Sequence, residues 1–199
     1  MRVYLETSIL ADWFFVRTVN PATRKKMTPQ ILASYGLVEE TLRGHFRRDS
    51  FVTSYWALLE AAGVLKRARV EFKLFQDNVS LSYYSRLKDR KGFRLDKQDA
   101  EELNDQLSTL MRRGMREKRL EISERPIDVQ KVIDLVTLHC LDPTDAAHVV
   151  YAGAEECHIL VTRDSELLER KEILEPVIGL VHPADLLGKL TRTARRPAK

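Results

Sequence analysis

The sequence predicts an α/β domain: a parallel β-sheet flanked by α-helices, with extra helical segments in the N-terminal half. Three observations carry this. Short apolar runs of strand length recur near 2–5, 51–53, 120–122, 158–162 and 177–181. Segments with apolar residues at i, i+3, i+4 and i+7 separate them. At 199 residues, 44% apolar and 31% charged, the chain is long and apolar enough for one domain with a substantial core. Strands alternating with helices imply a parallel sheet covered on both faces, and ligands of such sheets sit at the carboxyl ends of the strands.

The elements follow in order. A strand over 2–5 leads into a helix over about 8–15. Thr28 and Pro29 read as an N-cap and a first-turn proline. They open a helix with Ile31, Tyr35, Val38, Leu42 and Phe46 on one side. Phe51, Val52 and Thr53 form a short extended piece. Leu58, Ala61, Ala62 and Leu65 then mark an amphipathic helix over 54–69, and 70–95 reads as largely helical too. Asp96 is a cap for a further helix carrying Leu103, Leu107 and Leu110, with Gly114 a candidate end. Leu120, Glu121 and Ile122 read as a strand. Val129, Val132, Ile133 and Val136, and then Ala146, Val149, Val150 and Gly153, give two more amphipathic helices. A strand over 158–162, a short helix over 165–170, a strand over 177–181 and a helical turn or two over 183–190 complete the domain, which spans 1–188. The tail 189–199 holds Lys189, Arg192, Arg195, Arg196 and Lys199 without an acid, and reads as disordered.

Composition narrows the function. A net charge of +4 and a pI of about 9.1 are compatible with a polyanionic partner. Aromatic residues, at 8%, argue against a base-stacking platform as the main device. No apolar run approaches the ~20 residues of a membrane span. The N-terminus lacks a signal-peptide layout, so the default compartment is the cytoplasm. Cys140 and Cys157 form no disulfide framework. With His139, His148 and His158 they lack the tight pairs of a zinc site and read as buried thiols. There is no G-x-S-x-G elbow, no G-x-x-x-x-G-K-[ST] and no G-x-G-x-x-G. Basic clusters at 24–26, 43–48, 66–69, 86–94 and 112–119 read mostly as solvated helix faces. They would also attract a phosphate chain without reading its sequence.

Four acids recur at the edges of apolar segments. Glu6 ends the first strand, Glu60 lies inside a helix, Asp145 opens a helix and Asp164 follows a strand. An acid beside a buried face is costly unless it is paired or binds a metal. Clustered carboxylates repel, and a hard divalent cation such as Mg²⁺ or Mn²⁺ removes that repulsion. Each acid also has a plain structural reading: Glu6 as a helix-start acid, Glu60 as a half-exposed helix acid, Asp145 as a capping-box partner of Asp142, and Asp164 as an N-cap. Asp142 reads as a cap before a ligand, and Asp12 as solvated. His148, three residues after Asp145, can orient that carboxylate or simply pack. Thr7 and Ser8 beside Glu6, and Thr162 beside Asp164, can cap helices or support the acids.

The ordered set resembles a known family. Tyr4-Leu5-Glu6-Thr7-Ser8, Ala57-Leu58-Leu59-Glu60, Asp145-Ala146-Ala147-His148 and Val161-Thr162-Arg163-Asp164 are similar to the four motifs of PIN-domain ribonucleases, including toxins of the VapC type. The stretch from Val181 to Leu187 resembles the family's last strand and helix. The resemblance covers 1–12, 51–68 and 120–187, whereas 15–50 and 70–118 are longer than in compact members. It implies a PIN-like fold and a divalent-metal-dependent endoribonuclease, with Glu6, Glu60, Asp145 and Asp164 as catalytic metal ligands for one or two Mg²⁺ or Mn²⁺. The supporting residues would be Thr7, Ser8, Thr162, His148 and Asp142. It implies RNA as substrate, products with a 5′-phosphate and a 3′-hydroxyl, and a small antitoxin protein as partner; a homodimer stays open, and no membrane is involved. The family has Asp where this chain has Glu6, whose extra methylene moves the carboxylate outward by ~1.5 Å. Two other classes remain: a catalytically weak PIN-like module that binds RNA or protein, and a metal-dependent phosphatase.

Overall fold

The computed structural model describes residues 1–46, 48–76, 97–117 and 119–194. Five strands form one all-parallel sheet: β1 (Arg2–Leu5), β2 (Ser50–Ser54), β3 (Leu120–Ser123), β4 (Ile159–Val161) and β5 (Gly179–Val181). Their order is β3-β2-β1-β4-β5, a PIN-like topology. Ten helices flank the sheet among the described residues: α1 (Thr7–Thr18), α2 (Pro21–Arg24), α3 (Pro29–Arg43), α4 (Tyr55–Gln76), α5 (Lys97–Glu117), α6 (Val129–His139), α7 (Pro143–Ala154), α8 (Ser165–Glu169), α9 (Lys171–Leu174) and α10 (Pro183–Ala194). None is long and apolar enough to cross a membrane.

Strand periodicity divides the core. Alternate residues of a strand face opposite sides of a sheet. Val3, Leu5, Phe51, Leu120 and Val161 pack on one face with Ile9, Trp13, Leu37 and Leu186. Tyr4, Val52, Leu160 and Leu180 pack on the other with Val149, Leu167 and Leu174. Burial on both faces explains why β1, β4 and the centre of β2 read as apolar runs, whereas the edge strand β3 leaves Glu121 exposed. The chain steps outward from β1 to β2 and β3, then returns to β4 on the other side of β1. That reversal opens a crevice at the carboxyl ends of β1 and β4, where this class of sheet binds its ligands.

Several expectations change. The first helix starts at Thr7 and runs to Thr18, because the Glu6 side chain caps it by accepting from the Ser8 N–H. α3 begins at Thr28-Pro29 as expected but ends at Gly44, whose φ of 73° suits the left-handed C-cap. Phe46 is therefore buried from the loop beyond the helix rather than from its face. Gly114 does not end α5, which continues to Glu117. The proposed Asp96 cap and the helical reading of 77–95 lie outside the described residues.

α6 has the expected period but buries no residue fully. Val132, Leu135 and Val136 reach the core, whereas Val129 and Ile133 face outward. Cys140 is exposed at that helix's left-handed C-cap (φ 52°), and only Cys157 is the expected buried thiol. The basic tail is not wholly disordered. α10 extends through Lys189 to Ala194 because Leu190 still packs into the core, and 195–199 lie outside the described residues.

Candidate active site

Glu6, Glu60, Asp145 and Asp164 line one open cleft of about 800 Å³. Local structure puts each there. Glu6 follows β1 and Asp164 follows β4, so both sit at the carboxyl edge of neighbouring strands. Glu60 lies in the second turn of α4, directly after β2. Asp145 lies in the first turn of α7, whose N-terminus returns to the same edge. Sequence places these acids far apart, and the strand order gathers them.

Protein donors anchor three of the four acids. Glu6 Oε2 accepts from the Ser8 N–H (3.0 Å) and the Ser8 hydroxyl (2.7 Å). Glu60 Oε2 accepts from the Thr7 hydroxyl at 2.6 Å and lies 2.8 Å from His148 Nε2. Asp164 Oδ1 accepts from the N–H groups of Glu166 and Leu167, at 2.8 and 3.2 Å. Asp145 has no hydrogen-bond donor among the described residues. The capping readings of Glu6, Asp164 and Asp142 therefore hold together with a place in the cleft, since Asp142 caps α7 by accepting from Thr144 N at 2.8 Å. Capping satisfies one oxygen of a carboxylate and leaves the other for the cleft.

Electrostatics mark the cleft as overloaded with negative charge. Burial raises Glu6 to about 7; Ser8's hydrogen bonds oppose the shift and the Asp145 charge adds to it. Burial likewise raises Asp145 to about 6, reinforced by Asp164, Asp142 and Glu60. Glu60 is lowered. Burial pushes it upward, but hydrogen bonds from His148 and Thr7, with a further one from Thr144, outweigh that.

Two supporting residues act differently from their sequence reading. His148 is 1% exposed and bonds Glu60, not the adjacent Asp145, because its ring points from α7 across to α4. Thr7 gives its hydroxyl hydrogen to Glu60 rather than to Glu6. Ser8 supports Glu6 as expected, and its Oγ also accepts from Arg163 N at 3.1 Å, tying the ends of β1 and β4 together. The Thr162 hydroxyl accepts from the Asp164 backbone at 2.9 Å, so it shapes the turn and does not touch the carboxylate.

Asp12 is not solvated. It is 4% exposed, and its Oδ2 lies 2.7 Å from Arg163 Nε, a close ion pair whose atoms are not aligned as a hydrogen bond. Burial raises Asp12 to about 6 against the pull of Ser34 and Arg163. A raised acid burdens the fold above its folded pKa and not below its unfolded one. Removing the Arg163 cation should deepen that burden at alkaline pH alone. Arg163→Ala is expected to cost about 2 kcal/mol at pH 8, discounted for the half-open arginine, and far less at pH 5, where Asp12 is protonated. Denaturant melts at the two pH values check this; equal losses would make the pair a packing contact only.

The donor set tests well against a hard divalent cation by chemistry, being all carboxylate oxygen with unrelieved repulsion. By position it is not preformed. Among the described residues, no three His, Cys, Asp or Glu side chains are grouped so that they could hold a metal ion as they stand. The cleft is also lined by Phe15, Val64 and Arg67, the last two four and seven residues beyond Glu60 on α4. Sequence reading missed Phe15 and Tyr4: each looks like ordinary core within an apolar run. No protein-family model matches the chain, and no curated protein matches it in sequence.

Proposed function

We propose that the chain is a divalent-metal-dependent endoribonuclease that hydrolyses phosphodiester bonds of single-stranded RNA. The observation that carries this reading is Asp145: an acid without a hydrogen-bond donor among the described residues, held in a cleft with Glu6, Glu60 and Asp164, and raised by burial and by the charges of Asp164, Asp142 and Glu60. Glu6, Glu60, Asp145 and Asp164 would hold Mg²⁺ or Mn²⁺, which when bound lowers the pKa of a water and stabilises negative charge on the phosphate. Ser8 fixes one oxygen of Glu6, and Thr7 with His148 fixes one oxygen of Glu60. Arg67 offers a cation for a backbone phosphate, and Phe15, 40% exposed and lining the same cleft, offers a face for an unpaired base. By resemblance the role is the toxin of a toxin–antitoxin pair in the cytoplasm, restrained by a small antitoxin.

A second reading has its own observation. The acids are not drawn into a ready ligand set, and Glu6 carries the longer arm. This favours a PIN-like module that binds RNA or a protein partner with weak or no catalysis.

One experiment separates the two without relying on cleavage alone. Glu6 and Asp145 are raised acids, so without metal the fold is burdened as pH rises, through 4.5 to about 7 for Glu6 and 3.8 to about 6 for Asp145. Glu60 and Glu155 are lowered, so their contribution is lost as pH falls below the ordinary carboxylate range. Metal-free melting temperature is expected to peak near pH 5. Mn²⁺ should raise it more at pH 8 than at pH 5, where protons compete for the same oxygens. A labelled single-stranded RNA, incubated with Mg²⁺ or Mn²⁺ and with chelator, supplies the activity arm. A stabilising Mn²⁺ response with cleavage supports the nuclease. RNA binding with neither cleavage nor a Mn²⁺ response supports the module.

A further inference from the structure

A chain of hydrogen bonds, buried at Ser54 and Tyr4 and part-buried at Glu60, runs from Ser54 to Glu60, and counting its hydrogens assigns a direction. His148 Nε2 lies 2.8 Å from Glu60 Oε2. An ionised carboxylate only accepts, so Nε2 carries a hydrogen. Thr7 gives its single hydroxyl hydrogen to the same oxygen at 2.6 Å, so Thr7 Oγ1, 3.0 Å from Nε2, stands as an acceptor there. At the other end of the ring, Nδ1 lies 3.1 Å from the Tyr4 hydroxyl, which is 2.7 Å from Ser54 Oγ. Ser54 Oγ accepts from Ala57 N at 3.1 Å.

With Nδ1 bare, Ser54 donates to Tyr4, Tyr4 donates to Nδ1, and Nε2–H donates to Glu60. Each hydrogen of the chain then has an acceptor, the Nε2–H being shared between Glu60 Oε2 and Thr7 Oγ1. A second hydrogen on Nδ1 would reverse the first two bonds and leave the Ser54 hydroxyl hydrogen without an acceptor among the described residues. Tyr4 is fully buried in β1, and its hydroxyl meets both Ser54 Oγ and His148 Nδ1. The only oxygen of Glu60 that this chain touches is Oε2, and a ring that cannot rotate holds the carboxylate in one orientation.

We propose that Tyr4 is a positioning residue for Glu60: its hydroxyl fixes His148 as the Nε2–H tautomer, and the fixed ring orients the carboxylate in the cleft. The effect on catalysis rests on the ribonuclease reading, whereas the tautomer does not. The experiment is ¹H–¹⁵N NMR of the histidine side chains at pH 8, in the native chain and in Tyr4→Phe, which removes one hydroxyl and keeps the ring. Native His148 is expected as a single Nε2–H tautomer with a slowly exchanging proton. Tyr4→Phe is expected to give mixed tautomers and faster exchange. Mn²⁺ affinity and kcat should each fall about 2- to 12-fold, the range for one neutral hydrogen bond, with KM for RNA unchanged.

An Nδ1–H tautomer in the native chain overturns the proposal, and that measurement needs no variant to fold. An unchanged tautomer in Tyr4→Phe overturns it too. So does a shifted tautomer with native Mn²⁺ affinity and kcat, because Glu60 would then not be oriented through the ring. If the native chain neither cleaves RNA nor binds Mn²⁺, the nuclease reading fails by itself, and the two spectra still decide whether Tyr4 sets His148.

Discussion

Asp145→Asn is expected to reduce metal-dependent RNA cleavage by at least about 100-fold while raising the melting temperature at pH 8. Residues that merely support metal ligands commonly cost 10- to 100-fold when lost, and a ligand should cost no less than the top of that range. The stability gain has a separate cause. Asp145 is raised from 3.8 to about 6 by burial first, then by the charges of Asp164, Asp142 and Glu60. Above that value its charge burdens the folded state, and an uncharged amide of the same shape removes the burden. After discounting for the solvent that reaches a half-open cleft, the gain is about 1–2 kcal/mol at pH 8. It should shrink toward pH 5, where the native acid already carries its proton. Initial rates on labelled RNA and thermal melts at the two pH values check both halves. A variant that loses activity and also loses stability at pH 8 would point to misfolding rather than to a lost ligand.

Glu6→Gln is expected to abolish cleavage to a similar degree, whereas Glu6→Asp should retain it within about tenfold. The Ser8 N–H and hydroxyl both bond Glu6 Oε2, and a glutamine carbonyl oxygen can accept both. The cap on α1 therefore survives in Glu6→Gln, and the loss isolates the charge. An amide oxygen is also a poorer ligand for a hard cation. Aspartate keeps the charge and remains a good N-cap, but draws the carboxylate back by ~1.5 Å. Cleavage measured with Mg²⁺ and Mn²⁺ for the native chain and both variants decides the matter. Native activity in Glu6→Gln beside a dead Asp145→Asn would reduce Glu6 to a helix cap.

The two predictions rest on different links of the same argument. Asp145 matters to the nuclease reading because it accepts no hydrogen bond among the described residues, and burial with the charges of Asp164, Asp142 and Glu60 raises it against the pull of His148. Glu6 matters to it although one oxygen already serves as a structural cap: burial still raises the residue to about 7, and it lines the cleft. A helix cap and a metal ligand are therefore not competing assignments at this edge of the sheet. The cap needs a carboxylate facing backbone N–H groups at the helix start, a metal needs only a carboxylate oxygen, and a carboxylate has two oxygens to share.

The sequence by itself determined the strands, most helices and the four acids at their edges. Buried parallel strands need continuous apolar runs, and helix starts need Thr28, Asp142 and Asp164 where they stand; these are local requirements that a linear pattern records. Local signals also misled. The apolar period of α6 matches a buried helix, yet Val129 and Ile133 are exposed among the described residues, and Asp12 has the polarity of a surface residue but sits 4% exposed. Only the tertiary structure decided partners. Strand alternation turns Tyr4 toward the face that α7 covers, but nothing near Tyr4 in the chain says that His148 waits there, 144 residues away. That meeting, and those of His148 with Glu60 and Arg163 with Asp12, follow from the strand order that returns β4 to the side of β1. The order is fixed by how whole layers pack, a property of no short segment.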